Sequence, residues 1–322
     1  AGLEILKKLV GKCDAVIENF KPGFLAKIGM DYNSLSKINP SLVMLSMSGV
    51  GQTGPLSDIP AYAPFLSGLS GLDSLVGYPG EDILGIQQPY ADTNAGVTGA
   101  FGLITALLHR KRSGKGQHVD LAETEAAVSV LGEAFLHYSM TNTVMEPQGN
   151  FRYGYVPCGH YPTKGEDAWI AIAVESERQW ASLCRVLGKP DLAVSSSFQN
   201  KEIRNQNRGI LDQALSELTS LRETDKLFHA LQAEGISAMP LLGPDEVMRD
   251  PHFVQRGTFN DIDHPVLGKE VIFGPMWRQT TSSMENWAHA PLLGQHTFDV
   301  MTDLLAMTKT EVEELILAEA LI

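Results

Sequence analysis

The first third of the chain alternates helix and strand at short intervals, and this feature limits the available folds more than any other. Leu3, Ile5, Leu6 and Leu9 recur at near-helical spacing over residues 2–10, Gly11 stops the run, and residues 15–17 read as a short buried strand. Helical turns follow at 25–28 and 32–38, then an apolar strand at 42–48 closed by glycines. A helix over 92–112, a strand over 118–121 and a long helix over 124–140 continue the order. Strands separated by helices, each too short to stand alone, predict a parallel sheet with crossover helices packed on it. The chain enters this alternation at a helix.

The 92–112 helix carries the strongest pattern. Val97, Phe101, Ile104 and Leu108 form one face, and Gly96, Gly99 and Gly102 recur every third residue, where small side chains admit a neighbouring backbone or a ligand at a cost in helix propensity. Residues 147–162 form a loop of Gly, Pro and aromatic residues that marks a second module. There 169–174 is a strand, helices are predicted at 177–187, 208–219 and 224–233, and 261–273 reads as two strands about a turn at 265–268. Thr310 and Glu313 have the spacing of a capping box at the start of a last helix.

Composition narrows the function. The 322 residues carry 25 Lys and Arg against 38 Asp and Glu, a net charge of −13, which argues against an extended nucleic-acid or anionic-membrane surface. The apolar stretch at 100–108 is far shorter than the roughly 20 residues of a membrane-spanning helix. Cys13, Cys158 and Cys184 are too few and too scattered for a disulfide framework or a zinc knuckle. A soluble protein of a reducing, cytoplasmic compartment is the expectation.

Several familiar signatures fail on context. Gly49-Val50-Gly51-Gln52-Thr53-Gly54 matches the dinucleotide fingerprint and follows a strand, but Pro55 and Pro60 prevent a helix from opening at its third glycine. The sequence has no P-loop, no pair of histidines at zinc-binding helical spacing and no nucleophile elbow. Asp92 is left, at the N-terminal edge of the glycine-spaced helix. It is either an N-cap that satisfies free amides, or a carboxylate kept ionised by the helix dipole beside small residues and able to act as a nucleophile. The two readings differ in where its oxygens point.

Glu18-Asn19-Phe20-Lys21-Pro22-Gly23, the 49–55 glycine segment, Asp92 with its helix, and Arg112-Ser113-Gly114-Lys115-Gly116-Gln117 occur in this order. Further on stand Asp250-Pro251-His252-Phe253, Asp263-His264-Pro265 and Gly294-Gln295-His296-Thr297. Together they resemble the family III CoA-transferases of the CaiB/BaiF type, over essentially the whole chain, and most of all the members that move CoA from succinyl-CoA onto benzylsuccinate-like acids.

The resemblance implies an α/β fold: a discontinuous Rossmann-like large domain over residues 1–147 and 262–322, a smaller α+β domain over 148–261, and an interlaced homodimer. It also implies that relatives have about 60 to 80 further residues, in further strand–helix units, ahead of the helix at 2–10. No tightly bound cofactor is implied; coenzyme A and acyl-CoA enter as substrates, with a carboxylic acid as acceptor. Asp92 would be the nucleophile, forming an aspartyl anhydride and then an aspartyl-CoA thioester. Asn19, Phe20 and Lys27 fall where the family contacts CoA, many members having Arg at the position of Lys27. Ser48 and Gly49 fall on the cofactor-side loop. Residues 149–159 take the place of a glycine loop over the aspartate, with Gly154 and Gly159 among aromatics, and Arg152 or Lys164 would meet a second substrate carboxylate. The racemases of the family have a histidine where Tyr62 stands; a phenol titrating near 10 is a poor base at neutral pH, so transferase is favoured over racemase and over a non-catalytic CoA-binding relative.

Overall fold

The computed structural model describes residues 1–282 and 287–322. The chain divides into two compact units, Ala1–Gly149 with Pro291–Ile322, and Asn150–Ala290. The β-hairpin near residue 265 belongs to the second unit, whereas the sequence reading assigns 262 onward to the first.

In the first unit, α1 (Gly2–Val10) leads into β1 (Ala15–Glu18), and two single-turn helices, α2 (Phe24–Lys27) and α3 (Tyr32–Leu35), precede β2 (Val43–Ser48). Then come α4 (Ala63–Ser70), the long α5 (Tyr90–Ser113), β3 (Gln117–Ala122), α6 (Glu123–Val128) and α7 (Gly132–Thr141). The three strands pair in parallel in the order β1-β2-β3, with Ala15 beside Val43 and Ser48 beside Ala122. The central strand is covered on both faces: Val43, Met44 and Leu45 are buried, as the near-continuous apolar run requires. Val10, Met30, Leu35, Leu42 and Met44 fill the space beneath α1 and α3.

The glycine stripe of α5 serves this packing. A Cβ at Gly99 would lie 2.8 Å from the sulfur of Met47, and one at Gly102 would lie 3.4 Å from Val119, so α5 sits close on β2 and β3 because both positions lack side chains. Gly96 has open space around it. The apolar face at Val97, Phe101, Ile104 and Leu108 is exposed.

The predicted long helix over 124–140 is two helices separated by a 3₁₀ turn at Ser129–Leu131. Ser129 Oγ bonds back to the Ala126 carbonyl, and Gly132 follows, so both local features weaken a continuous helix there. The last helix, Lys309–Leu317, starts two residues earlier than the sequence suggests: its capping box is Thr308 with Glu311, not Thr310 with Glu313. That start turns Val312 inward against Ile5 and Met301.

The second unit is built on an antiparallel sheet, β4 (Cys158–Pro162), β5 (Trp169–Ala173) and β6 (Ser237–Leu241), in that order. β4 lies in what the sequence reads as loop. Helices α8 (Glu177–Val186), α9 (Lys201–Gln206), α10 (Arg208–Thr219) and α11 (Thr224–Ala233) complete the core with Trp180, Leu183, Leu211, Leu215 and Leu231 against Ile170 and Ile172. Two short helices and the hairpin β7 (Phe259–His264) to β8 (Gly268–Phe273) follow, the turn closing through Gly268 at φ 80°.

Candidate active site at the carboxyl ends of the parallel strands

In an open parallel sheet the strands end where helices begin, and ligands bind in the crevice outside their carboxyl ends. Here each strand delivers a residue to one cleft of about 470 Å³: Asn19 and Phe20 just past β1, Ser48 and Gly49 at the end of β2, and Glu123 just past β3. Asp92 in the first turn of α5 and Tyr62 ahead of α4 line the same cleft.

The Asp92 question has a geometric answer. The N-cap of α5 is Pro89, no side chain among the described residues caps the helix, and Asp92 is its third residue. Its carboxylate is exposed to the cleft rather than spent on the helix amides, and still lies within the reach of the helix dipole.

The strand ends are held rigidly. Glu18 is buried and accepts from the Phe20 backbone N–H at 2.8 Å, which fixes the turn that presents Asn19 and Phe20. The Gly49 carbonyl accepts two hydrogen bonds from Thr124, 3.0 Å from its N–H and 2.6 Å from its hydroxyl, so the loop after β2 is pinned to the start of α6. Asp120 accepts from the Gln52 N–H at 3.0 Å, holding the glycine segment one step further along. Gly49 is required by space alone: a Cβ there would collide with that of Ala61 and come within 3.1 Å of Leu66. The segment with dinucleotide-like spacing is thus a buttressed loop beside the cleft; a helix opens only at Ala63, beyond both prolines.

Two polar features of the cleft stand out. Ser48 is 6% exposed and its hydroxyl has no hydrogen-bond partner among the described residues, an orphan of the kind that a bound ligand satisfies. Glu123 lies within hydrogen-bonding reach of Asp92; burial, then the charge of Asp92 and the bond to it, push the Glu123 carboxyl above its ordinary value.

Of the residues singled out in the sequence, Asp92, Asn19, Phe20, Ser48, Gly49 and Tyr62 share this cleft. Lys27 sits on the last turn of α2, exposed and outside the cleft lining; Lys21 lines it instead. Arg152, Gly154 and Gly159 belong to the second unit. There Arg152 faces the Tyr155 ring at 5.9 Å, the Gly154 carbonyl accepts from Lys201 Nζ at 2.9 Å, and Gly159 lies within β4 against the Tyr161 ring. Lys164 pairs with Glu223 at 2.7 Å. Glu123 was missed because an acidic residue at a helix start reads as dipole complement; its place directly after a parallel strand was the signal available. Among the described residues no helix is long and apolar enough to cross a membrane, and no group of three or more His, Cys, Asp or Glu is placed to hold a metal ion.

A parallel sheet with an exposed carboxylate in a cleft at its carboxyl edge, in a unit followed by an α+β unit, is an α/β architecture with its candidate site where such sheets bind ligands. The sequence model of CoA-transferase family III matches residues 1–297, and the chain belongs to that family and to the CoA-transferase class of enzymes. It is 30% identical over 311 residues to a succinyl-CoA–D-citramalate CoA-transferase of Chloroflexus aurantiacus, covering 96% of this chain and 77% of that protein. It is 27% identical to the succinyl-CoA:glutarate CoA-transferase of Homo sapiens, covering 98% of this chain and 72% of that one. A crystal structure of a CaiB/BaiF family protein from Brucella suis superposes with a TM-score of 0.87 at 30% identity, over 94% of this chain and 78% of that one.

Proposed function

We propose that this protein transfers CoA from succinyl-CoA to a short dicarboxylic acid through a covalent intermediate on Asp92. The single observation that carries the reading is the Asp92 carboxylate, uncommitted to capping and directed into a cleft at the strand ends. The relatives' names favour the donor and the acceptor class: they transfer CoA from succinyl-CoA to citramalate, malate or glutarate.

The chemistry follows from the exchange itself. Asp92 attacks the thioester carbon, the C–S bond breaks, and CoA leaves as thiolate from a mixed anhydride. The thiolate then attacks the aspartyl carbonyl, succinate departs, and an aspartyl-CoA thioester remains for the acceptor carboxylate to reverse the sequence. A carboxylate nucleophile keeps each step nearly isoenergetic because it is the same functional group as both acids. The Ser48 hydroxyl is placed to donate to a substrate or intermediate oxygen. Asn19, Phe20 and Lys21 form the side on which CoA lies, and the exposed apolar face of α5 is the surface a second copy covers in a homodimer.

The test is chemical trapping. Incubation with succinyl-CoA followed by hydroxylamine or borohydride modifies the peptide bearing Asp92, read by mass spectrometry, and Asp92→Ala abolishes turnover. An unmodified Asp92 together with full activity of the variant overturns the mechanism.

A further inference from the structure

The mechanism above uses one carboxyl group, but two line the cleft, Asp92 and Glu123. Glu123 is the first residue of α6, half-buried, and lines the cleft together with Asp92, within hydrogen-bonding reach of its carboxyl. The arrangement is held from both sides: Asn94 Nδ2 donates to the Ala126 carbonyl at 2.7 Å, and Thr124 bonds the Gly49 carbonyl. Two carboxylates side by side repel each other, and a proton held on one of them relieves that repulsion. Glu123 is the partner disfavoured as an anion, being desolvated and set against the Asp92 charge. α4, packed against α6, carries no charged side chain; Asp120 on β3 is engaged by the Gln52 amide; Glu125 on α6 is exposed; and the remaining ionisable groups of the cleft are Lys21 and Tyr62. The orphan Ser48 hydroxyl, buried in the same cleft, is a separate mark that a ligand belongs beside the pair.

We infer that the Glu123 carboxylic acid is a catalytic hydrogen-bond donor to Asp92, held against its carboxyl oxygen through every covalent step. The inference rests on Asp92 being the nucleophile. In the resting enzyme the donated bond fixes the Asp92 rotamer and leaves the other oxygen to attack. When the CoA thiolate or the acceptor carboxylate adds to the aspartyl carbonyl, negative charge collects on the aspartyl oxygen, where the donor already stands. Collapse of each adduct expels succinate or thiolate and restores the carbonyl. The proton stays on Glu123 throughout, so none is gained or lost. A preplaced donor to an oxyanion is worth about 100- to 1,000-fold in turnover.

Two variants separate this role from a structural one. Glu123→Gln keeps the shape and a donating N–H; Glu123→Ala removes both. We expect Glu123→Ala to lower kcat by about 100-fold with a smaller change in KM, Glu123→Gln to recover most of that loss, and wild-type kcat to fall as pH rises through the raised Glu123 value, a fall absent in Glu123→Gln. Thermal melts of both variants confirm folding. An Ala variant within about threefold of wild type, or a Gln variant as impaired as Ala, overturns the inference. Trapping of the Asp92 adduct in parallel tells the two readings apart: an adduct that forms and discharges at the wild-type rate in Glu123→Ala sinks the role of Glu123 alone, whereas no adduct in the wild type sinks the nucleophile.

Discussion

Asn94 donates from its side-chain amide to the Ala126 carbonyl across 2.7 Å, and this bond ties α5 to α6 two residues past Asp92 and three past Glu123. With the Thr124 bonds to the Gly49 carbonyl, it holds the two carboxyl-bearing helix starts together. Asn94→Ala should therefore do more to turnover than to stability. The Ala126 carbonyl keeps a second partner in Ser129, so the cost is about 1 kcal/mol in urea denaturation, while kcat falls about tenfold through misplacement of the pair. An equal effect on KM and kcat would assign Asn94 to binding instead.

Two glycines of the first unit should respond in opposite directions. Gly49→Ala forces a methyl into Ala61 and Leu66 at the cleft floor, which costs about 1–3 kcal/mol and raises KM for acyl-CoA. Gly96→Ala meets open space inside a helix and should stabilise by about 0.5–1 kcal/mol. Chemical denaturation of both variants, with kinetics on the first, checks the pair.

The second unit depends on a buried cation. Arg204 is fully buried, stacked 5.0 Å from the Trp180 ring, and bonded twice to Glu177 at 2.8 and 2.9 Å. Glu177 is largely exposed, so the two deletions are unequal: Glu177→Ala leaves the buried guanidinium its Val156 and Phe198 carbonyls but no counter-charge and costs about 3 kcal/mol, whereas Arg204→Met leaves a carboxylate free to hydrate and costs less. The hydrogen bond from Arg204 holds the Glu177 carboxyl below its ordinary value. Its contribution is thus complete above the normal carboxylate range and is lost as pH falls through that lowered value. Melting temperature against pH should show an acid limb in the wild type that is shallower in Glu177→Ala.

Cys184 is 1% exposed, and burial pushes its thiol up to about 12. Since the thiolate is the reactive form, iodoacetamide at about pH 8 should leave Cys184 unmodified in the native protein and label it once denaturant is added. Native-state labelling by mass spectrometry would reveal an opening of the α8 core if it occurred.

The parallel strands, α5 and the position of Asp92 were legible because each rests on a local pattern: apolar runs of strand length, helical spacing, a glycine stop. The reading erred where neighbours decide. Residues 158–162 form β4 only because β5 offers a partner, and the helix over 124–140 breaks where a serine and a glycine coincide. Two capping boxes fit the last helix equally well in sequence, and burial of Val312 selects the earlier one.

The sequence by itself determined the alternation, the family and the identity of the candidate nucleophile, because these depend on residue types in order along the chain. Only the tertiary structure decided what Asp92 faces. Glu123, the carboxyl that shares its cleft, lies 31 positions away and is brought to it by the return of β3 beside β2, and its freedom from capping follows from where α5 begins. Charge repulsion and desolvation act through space, so a pair made by folding leaves no mark on the spacing of its two members.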